Sequence, residues 1–348
     1  MSGGVDSSVA VHLLKEQGFD VVGLFMKNWD ENDIACPQKK DYEDVLRVAD
    51  NLGIDVYTVN FTEEYYDEVF ETFLAGLKNG ITPNPDVLCN KKIKFHHLLN
   101  KAESIGADYL ATGHYARAEE GRLYRALDQN KDQTYFLYEL SSPVLFRVLF
   151  PLADKTKPEV RALAKKLHLP VAEKQDSTGI CFIGKRPFKS FMEKYLTPER
   201  GPIVTQDGTK VGEHDGVWFY TIGQRKGLGI GGPGEAWFVY DKNISTNTLF
   251  VVQGEMSPLL YTREIHITPP RWIGKAPHPD APLSAKIRYR AEDKPCRIEQ
   301  GSDTQWKLVF EEGERAATAG QSAVFYSGKE CLGGSIILPC ALKEAGVS

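Results

Sequence analysis

With 348 residues and a mass of 38.9 kDa, the chain is longer than a single hydrophobic core usually supports, so we expect two or three domains. It has neither a secretory signal pattern nor about eighteen consecutive apolar residues, which predicts a cytoplasmic protein with no membrane partner. The net charge of −5 argues weakly against non-specific nucleic-acid binding and permits a local basic face, and six scattered cysteines indicate neither a zinc site nor a disulfide scaffold.

The first informative segment is a glycine-rich loop, residues 2–8 (SGGVDSS), followed by a helical pattern that ends near residue 17. Gly3 and Gly4 allow several backbone N–H groups to face one anion, and the positive end of the helix points at the same place. No lysine follows the glycines, so this is not a Walker A loop. The loop predicts a nucleotide phosphate site, and the alternative is an ordinary glycine turn before a helix.

Strand-like and helix-like segments alternate through the first half of the chain. This order is typical of a parallel sheet with helices on both faces, a Rossmann-like α/β domain that binds ligands at the carboxyl ends of its strands. Predicted strands cover residues 20–29, 55–60 and 109–113, and predicted helices cover 39–52, 63–77, 91–105, 157–167 and 187–195.

Composition changes near residue 201, where Gly, Pro, Thr and aromatic residues become more frequent and short alternating runs predict strands. We therefore place an α/β catalytic domain at 1–197 and a small β-rich central domain at 198–258. The remaining strands, including one predicted at 285–289, indicate a C-terminal antiparallel β-barrel at 259–348.

The segment from Pro83 to Asn90 (PNPDVLCN) is the second informative stretch. Asp86 or Asn90 can cap a helix that begins near Lys91. Cys89 would then lie at a helix N-terminus followed by lysines, a setting that lowers a thiol pKa. The alternative is a buried cysteine beneath a proline turn.

Three later segments are less specific. Cys181 lies between glycines in a stretch followed by Lys185 and Arg186, and taken by itself it favours a structural cysteine. Residues 221–229 (TIGQRKGLG) fit either a phosphate-contacting loop or a hairpin. Residues 288–290 (RYR) fit either RNA phosphate and base contacts or a solvated edge strand.

Taken together, these segments resemble one family. The loop SGGVDS, the strand LFMKNW, the motifs NPDVLCN and GICFIG, and the segments ATGHY and KDQTYFL occur in the order and approximate spacing of the MnmA/TrmU family. Members of this family are tRNA-specific 2-thiouridylases of the PP-loop ATP pyrophosphatase superfamily. The resemblance covers essentially the whole chain.

The resemblance implies the binding residues. ATP is expected at Ser2, Gly3, Gly4, Val5, Asp6, Ser7, Met26 and Gly113, and the target base at Asn84, Pro85 and Asp86. Contacts to tRNA are expected from His114, Lys131, Asp132, Gln133, Arg288, Tyr289 and Gln321.

The resemblance also implies the chemistry. ATP adenylates O2 of the wobble uridine in the anticodon loop, and sulfur carried as a persulfide on Cys181 replaces AMP, with Cys89 as the nucleophile. An upstream persulfide protein supplies the sulfur, and Mg²⁺ accompanies ATP. Asp6 is a candidate ligand on the Mg²⁺ or pyrophosphate side, the alternative being an N-cap-like structural role. A Cys89–Cys181 disulfide needs Cα atoms within roughly 7 Å, so we expect at least one loop to move.

Two alternatives remain open: a PP-loop ligase that adenylates a small molecule, and a non-catalytic tRNA-binding protein. The second is motivated by the position of the loop, because the family has a β-strand before it and here only Met1 precedes Ser2. We expect weaker ATP binding than in a chain extended by that strand.

Overall fold

The computed structural model describes residues 1–29, 37–176, 180, 183–184, 186–301 and 305–339, without the side chains of 37 and 38. Three regions follow one another: an α/β region, a small four-stranded region and a larger β-sheet region. In the described part, no helix is both long and apolar enough to cross a bilayer.

The α/β region contains most of the helices. Two helical stretches, 62–78 and 85–104, each contain a π-helical segment, at Tyr66–Phe70 and at Cys89–Leu98. The α-helices are α1 (Val5–Glu16), α2 (Pro37–Leu52), α3 (Thr62–Tyr65), α4 (Glu71–Lys78), α5 (Pro85–Leu88), α6 (Leu99–Ser104), α7 (Ser142–Leu145), α8 (Lys157–Lys166) and α9 (Phe188–Met192).

Parallel pairing in this region confirms the predicted strand arrangement, although the strands are shorter than expected. In register, β1 (Gly23–Lys27) pairs with β2 (Val56–Asn60), and β3 (Leu110–Ala111) pairs with β6 (Val148–Leu149). Between them in sequence, β4 (Ala116–Glu119) and β5 (Arg122–Arg125) form an antiparallel hairpin. Met26 lies near the carboxyl end of β1, and Gly113 follows β3 by two residues. Both residues are predicted to contact ATP.

The middle region is a four-stranded sheet in the order β8-β7-β10-β9. Its strands are β7 (Gly201–Val204), β8 (Lys210–His214), β9 (Trp237–Asn243) and β10 (Thr248–Gln253). Its buried face shares a hydrophobic core with the 62–78 helical stretch and α9, which includes Phe70, Phe191, Ile203 and Val239. This shared core holds the middle region against the α/β region.

The last region forms an antiparallel sheet, but pairing among its described strands does not close it into the predicted barrel. Its outer strand β17 pairs with β5 of the α/β region, so the sheet continues across the boundary and ends at β4. Ile267 and Ile337 form an isolated bridge. The strands are β11 (Tyr261–Ile267), β12 (Arg271–Trp272), β13 (Ser284–Lys286), β14 (Lys294–Gln300), β15 (Trp306–Arg315), β16 (Ser322–Ser327) and β17 (Glu330–Ile336).

The strand predicted at 285–289 is also shorter than expected. Strand β13 ends at Lys286, and Arg288–Arg290 belongs to a bend and turn in which Arg290 has a φ of 66°. The edge-strand interpretation of this segment is therefore wrong. The turn frees the Tyr289 side chain to point toward the α/β region, where its ring packs 4.4 Å from that of Phe136.

Buried polar contacts fix the last region to the α/β region. The Arg125 guanidinium lies 3.8 Å above the Tyr326 ring, and one of its nitrogens is 2.9 Å from an Asp293 carboxylate oxygen. The Thr134 hydroxyl lies 3.2 Å from the Tyr326 hydroxyl. These contacts tie Asp293 and Tyr326 of the last region to the α/β region.

Candidate active site

The glycine-rich loop leads directly into α1 and leaves the helix N-terminus open. Gly4 is the N-cap residue, and among the described residues no side chain caps the helix. The Ser7 and Ser8 hydroxyls donate to the Gly4 carbonyl at 3.2 and 2.8 Å, which braces the loop from within. Open N–H groups at a helix N-terminus favour an anion such as a phosphate.

Two glycines permit close backbone contacts around this loop. Gly3 has a φ of 66°, and a Cβ there would lie 2.4 Å from the Asp41 carbonyl oxygen in α2. A Cβ on Gly113 would lie 2.8 Å from the Ser7 backbone nitrogen. The glycine after β3 therefore makes room for the first turn of α1, whereas we expected it to make room for the nucleotide. Its contact with ATP stays a prediction.

Asp6 is the centre of an ion-pair network. Its carboxylate accepts hydrogen bonds from the Tyr115 hydroxyl at 2.9 Å and from the Lys157 ammonium at 2.7 and 2.8 Å. Lys157 also lies 2.8 Å from Asp176. Because Gly4 is the N-cap, Asp6 does not cap the helix, and its structural role is instead to pair with Tyr115 and Lys157. Its role toward Mg²⁺ or pyrophosphate stays a prediction.

Asp176 connects this network to the segment that contains Cys181. Lys131 and Arg161 pair with the Asp176 carboxylate in addition to Lys157. Burial alone would raise the pKa of Asp176, but the hydrogen bonds and charges of Lys131 and Lys157 outweigh it and lower the pKa to about 2. The carboxylate therefore stays ionised at neutral pH.

Sequence reasoning missed the residues that hold the loop in place: Tyr115, Lys157, Asp176 and Lys174. Lys174 donates to the Gly3 carbonyl at 2.8 Å and to Asp41 at 2.7 Å, behind the loop. A local signal existed for two of them, because Tyr115 ends the ATGHY segment and Asp176 begins the stretch that contains GICFIG. Nothing local links Lys157 to Asp6, which is 151 residues away.

Met26 lies next to last in β1, opposite Val59. It is partly buried and packs against two of the hydrophobic clusters. This position at the carboxyl end of a parallel strand is compatible with the predicted contact to adenine, which stays a prediction.

The PNPDVLCN segment begins a helix earlier than predicted. Asn84 is the N-cap, and its side-chain oxygen accepts from the Asp86 and Val87 amides at 3.1 and 3.4 Å. Asn90 is buried and binds the Phe136 carbonyl at 3.0 Å, so neither it nor Asp86 caps the helix. The reason is the Asn-Pro pair, because proline suits the first helical position.

Cys89 consequently lies one turn inside the helical stretch, and not at its N-terminus. It is 1% exposed and belongs to the hydrophobic cluster shared with the middle region. The effect of the helix dipole falls off within the first turn, so the predicted position of Cys89 at a helix N-terminus is wrong. Burial of this cysteine was the alternative interpretation of the sequence.

A cavity of about 580 Å³ lies where the three regions meet. It brings together the predicted target-base residues Asn84, Pro85 and Asp86 with Tyr289 and Gln321 from the last region. The Gln321 amide also donates to the Thr82 carbonyl at 2.7 Å, which ties the last region to the proline segment. The wall is rich in aromatic rings: Tyr135, Phe136, Phe188, Trp218, Phe219, Tyr220 and Tyr289.

Burial affects the carboxyl group in this cavity. It raises the pKa of Asp86, and the charge of Lys94 partly offsets this. Such a carboxyl can hydrogen-bond a base edge in either protonation state.

Five of the predicted tRNA contacts do not line this cavity, and their side chains are engaged within the protein. One of them, Lys131, pairs with Asp176. His114 bonds the Thr112 hydroxyl at 2.8 Å, and burial and Lys94 hold its pKa well below the usual value, so it is neutral. Asp132 is buried and accepts from Ala126 and Thr134. Gln133 accepts from the Tyr115 amide at 2.9 Å, and Arg288 donates to two backbone carbonyls at 2.7 and 3.0 Å.

Cys181 lies outside the described residues. Two of its neighbours are described: Ile180 lines the cavity, and Ile183 packs in the same hydrophobic cluster as Cys89 and Phe219. Among the described residues, no three His, Cys, Asp or Glu side chains converge to hold a metal ion. With Asp6 already paired to Lys157, these residues do not form a resident metal site.

Family models match the chain in three consecutive segments. Residues 1–185 match the tRNA methyl transferase HUP domain, 189–253 the tRNA methyl transferase PRC-barrel domain, and 262–337 the aminomethyltransferase beta-barrel domain. These matches confirm the predicted sequence of an α/β domain, a small β-rich domain and a C-terminal β domain. The boundaries at 197 and 258 stay predictions.

Curated relatives match almost the full chain. The tRNA-specific 2-thiouridylases MnmA of Bacillus pumilus and Bacillus subtilis are 52% and 51% identical over 97% of this chain and 93% of their own length. The MnmA of Burkholderia pseudomallei is 52% identical over all of this chain and 94% of its own. Together with the family models and the geometry of the loop and cavity, these identities show that the chain belongs to the MnmA family of tRNA-specific 2-thiouridylases.

Proposed function

We propose that this protein is a tRNA-uridine 2-sulfurtransferase that uses ATP to replace O2 of the wobble uridine with sulfur, releasing AMP and pyrophosphate. The observation that carries the proposal is the aromatic cavity at the junction of the three regions, with the Asn84–Asp86 segment in its wall. Single-stranded RNA is usually recognised through unstacked bases that lie on aromatic rings and hydrogen-bond along their edges.

ATP would bind at the loop 2–8, with its phosphates at the open N-terminus of α1 and its adenine near Met26 and Gly113. Uridine O2 attacks the α-phosphorus, and pyrophosphate leaves. The ammonium of Lys157, held by Asp6, lies beside this loop and can offset the phosphate charge. Mg²⁺ enters this scheme only as the ion carried by ATP.

Sulfur transfer completes the reaction. In one path, the terminal sulfur of a Cys181 persulfide attacks C2 of the adenylated uridine, and Cys89 then attacks the Cys181 sulfur of the resulting C2–S–S–Cys181 adduct, which breaks the S–S bond and leaves the sulfur on C2. In the other path, Cys89 first attacks the Cys181 sulfur of the persulfide and releases hydrosulfide, which then attacks C2. Either path expels AMP and ends with a Cys89–Cys181 disulfide, which a thiol reductant must reduce before the next turnover. Ile180 and Ile183 support this pairing, because one lines the cavity and the other packs in the cluster of Cys89.

Further predictions belong to this proposal. Lys131 is paired with Asp176, so contact with tRNA requires that this ion pair open or that Lys131 bind RNA while still paired. The sulfur donor would be a persulfide-carrying protein, and the site of action would be the cytoplasm, where tRNA and ATP are available.

The test is mass spectrometry of the wobble nucleoside after incubation with ATP, unmodified tRNA and a persulfide source. We expect 2-thiouridine and an equal amount of AMP. Cys181→Ser should abolish thiolation and leave tRNA binding intact, whereas the control Cys296→Ser, in β14 of the last region, should retain activity. Full activity of Cys181→Ser would overturn the sulfur-transfer mechanism, and no AMP release by the wild type would favour the non-catalytic tRNA-binding alternative.

A further inference from the structure

The segment 221–229 of the middle region forms a braced loop at the edge of the cavity. Thr221, Gln224 and Gly227 line the cavity. The Gln224 side chain accepts from the Thr221 amide at 3.0 Å and donates to the Lys226 carbonyl at 2.9 Å, so it spans the turn from within. The backbone of the loop is also fixed to β9. The Gly223 amide donates to the Val239 carbonyl at 2.7 Å, and the Val239 amide donates to the Gln224 backbone carbonyl at 3.0 Å.

The loop also contacts the last region. Gly223 has a φ of 83°, and a Cβ there would lie 2.7 Å from the Ala316 Cβ and 3.7 Å from a guanidinium nitrogen of Arg288. Both regions therefore hold the shape of the loop. A loop held in this way presents its side chains with little entropy left to lose on binding.

Two exposed cations, Arg225 and Lys226, lie between the cavity-lining residues Gln224 and Gly227. Within the described part of the chain, neither has an acidic side chain at ion-pair distance, unlike the nearby Lys189, which pairs with Asp215. Cations at the mouth of a cavity sized for a base meet the phosphates on either side of that base, because an unstacked nucleotide leaves its backbone at the entrance.

We propose that Arg225 and Lys226 bind the RNA backbone phosphates that flank the target nucleotide. The proposal rests on the proposed function, because it assumes that the cavity receives a nucleotide of tRNA. The middle region then holds the backbone while residues 84–86, Tyr289 and Gln321 hold the base. This gives residues 221–229 a phosphate-binding role, where the sequence alone allowed either such a loop or a simple hairpin.

The experiment measures the dissociation constant of unmodified tRNA at increasing salt for the wild type and for R225A/K226A. The salt slope is the steepness with which the logarithm of the tRNA association constant falls as the logarithm of the salt concentration rises. Removal of one cation that binds a phosphate makes this slope smaller by about 0.7 to 0.9. Because the variant removes two such cations, its slope should be smaller by about 1.4 to 1.8. The affinity deficit of the variant should then shrink about tenfold between about 50 and 200 mM salt.

The control variant, K101A/K166A, removes the same charge elsewhere. Both lysines are exposed. Lys101 lies in α6, which leads to the amino end of β3, and Lys166 ends α8. We expect this variant to keep the wild-type slope. The charge-conserving variant R225K/K226R should also keep the wild-type slope. If the loop had only a structural role, R225K/K226R and R225A/K226A would have the same slope.

Thiolation is measured in parallel. R225A/K226A should raise the KM for tRNA and leave the KM for ATP and the rate at saturating tRNA unchanged. If R225A/K226A had the same salt slope as an active wild-type enzyme, the proposed role of this loop would be wrong, and the proposed function would be unaffected. Absence of thiolation in the wild type would instead overturn the proposed function.

Discussion

The ion pair between Lys157 and Asp6 allows a direct test of how the phosphate loop is held. Lys157→Met keeps the length and apolar stem of the side chain and removes the charge. It leaves Asp6 with the hydrogen bond from Tyr115, and leaves Asp176 with Lys131 and Arg161. The backbone amide of Lys157, which donates to Asp128 at 2.8 Å, is unaffected.

The magnitude follows from exposure. The Lys157 side chain is 11% exposed and that of Asp6 is 30% exposed. Removing one partner of a fully buried pair costs about 3–5 kcal/mol, while exposed pairs contribute up to about 1 kcal/mol. Water can reach Asp6, so we expect a loss of about 1–2 kcal/mol, which lowers the melting temperature of a domain of this size by roughly 2–8 °C.

A matched control lies in the same helix. Lys165 pairs with Glu173 at 2.9 Å, but both side chains are more than half exposed, so Lys165→Met should cost less than about 0.5 kcal/mol. Thermal unfolding followed by circular dichroism, with and without ATP, compares the two variants. Equal melting temperatures for Lys157→Met and Lys165→Met would refute the reasoning, as would unchanged stabilisation by ATP in Lys157→Met.

Three further predictions concern the same site. Gly113→Ala places a methyl 2.8 Å from the Ser7 backbone nitrogen and should raise the KM for ATP at least about fivefold, whereas Gly274→Ala, with no atom within 4 Å, should not; equal constants would contradict this. Asn84→Ala should lose about 1 kcal/mol of stability and Asn84→Ser should keep it, because serine also caps helices, while both should raise the KM for tRNA; equal stability in urea unfolding would exclude the cap. The folded pKa of Asp176 is about 2, below its ordinary 3.8, so its stabilisation is complete above about pH 4 and is lost toward pH 2; Asp176→Asn should flatten the melting-temperature profile in that window, and an unchanged profile would count against the network.

Local features of the sequence predicted the elements where the determining contacts lie within a few residues. The alternation of segments predicted the parallel pairs β1–β2 and β3–β6, and glycines before an apolar helical pattern predicted the loop and α1. The start of the helix at Pro85 was missed, although its cause is local: Asn84 caps it and proline favours its first turn.

Contacts between distant segments could not be predicted in this way. The β17–β5 pairing, through which the last sheet continues into the α/β region, joins residues about 200 positions apart, and no local pattern predicts it. Asp132 is buried close enough to Lys286 of the last region for their charges to interact, and no local pattern indicates this proximity either.

The sequence by itself determined the family, the order of the domains and the set of residues that can carry the chemistry, because motif order and helix or strand periodicity are properties of neighbouring residues. Only the tertiary structure decided that Lys157 meets Asp6 across 151 positions and that residues 84–86, 221, 224, 227, 289 and 321 surround one cavity. The physical reason is that those distances depend on which apolar faces the three regions bury against one another, and this is a property of the whole packed chain.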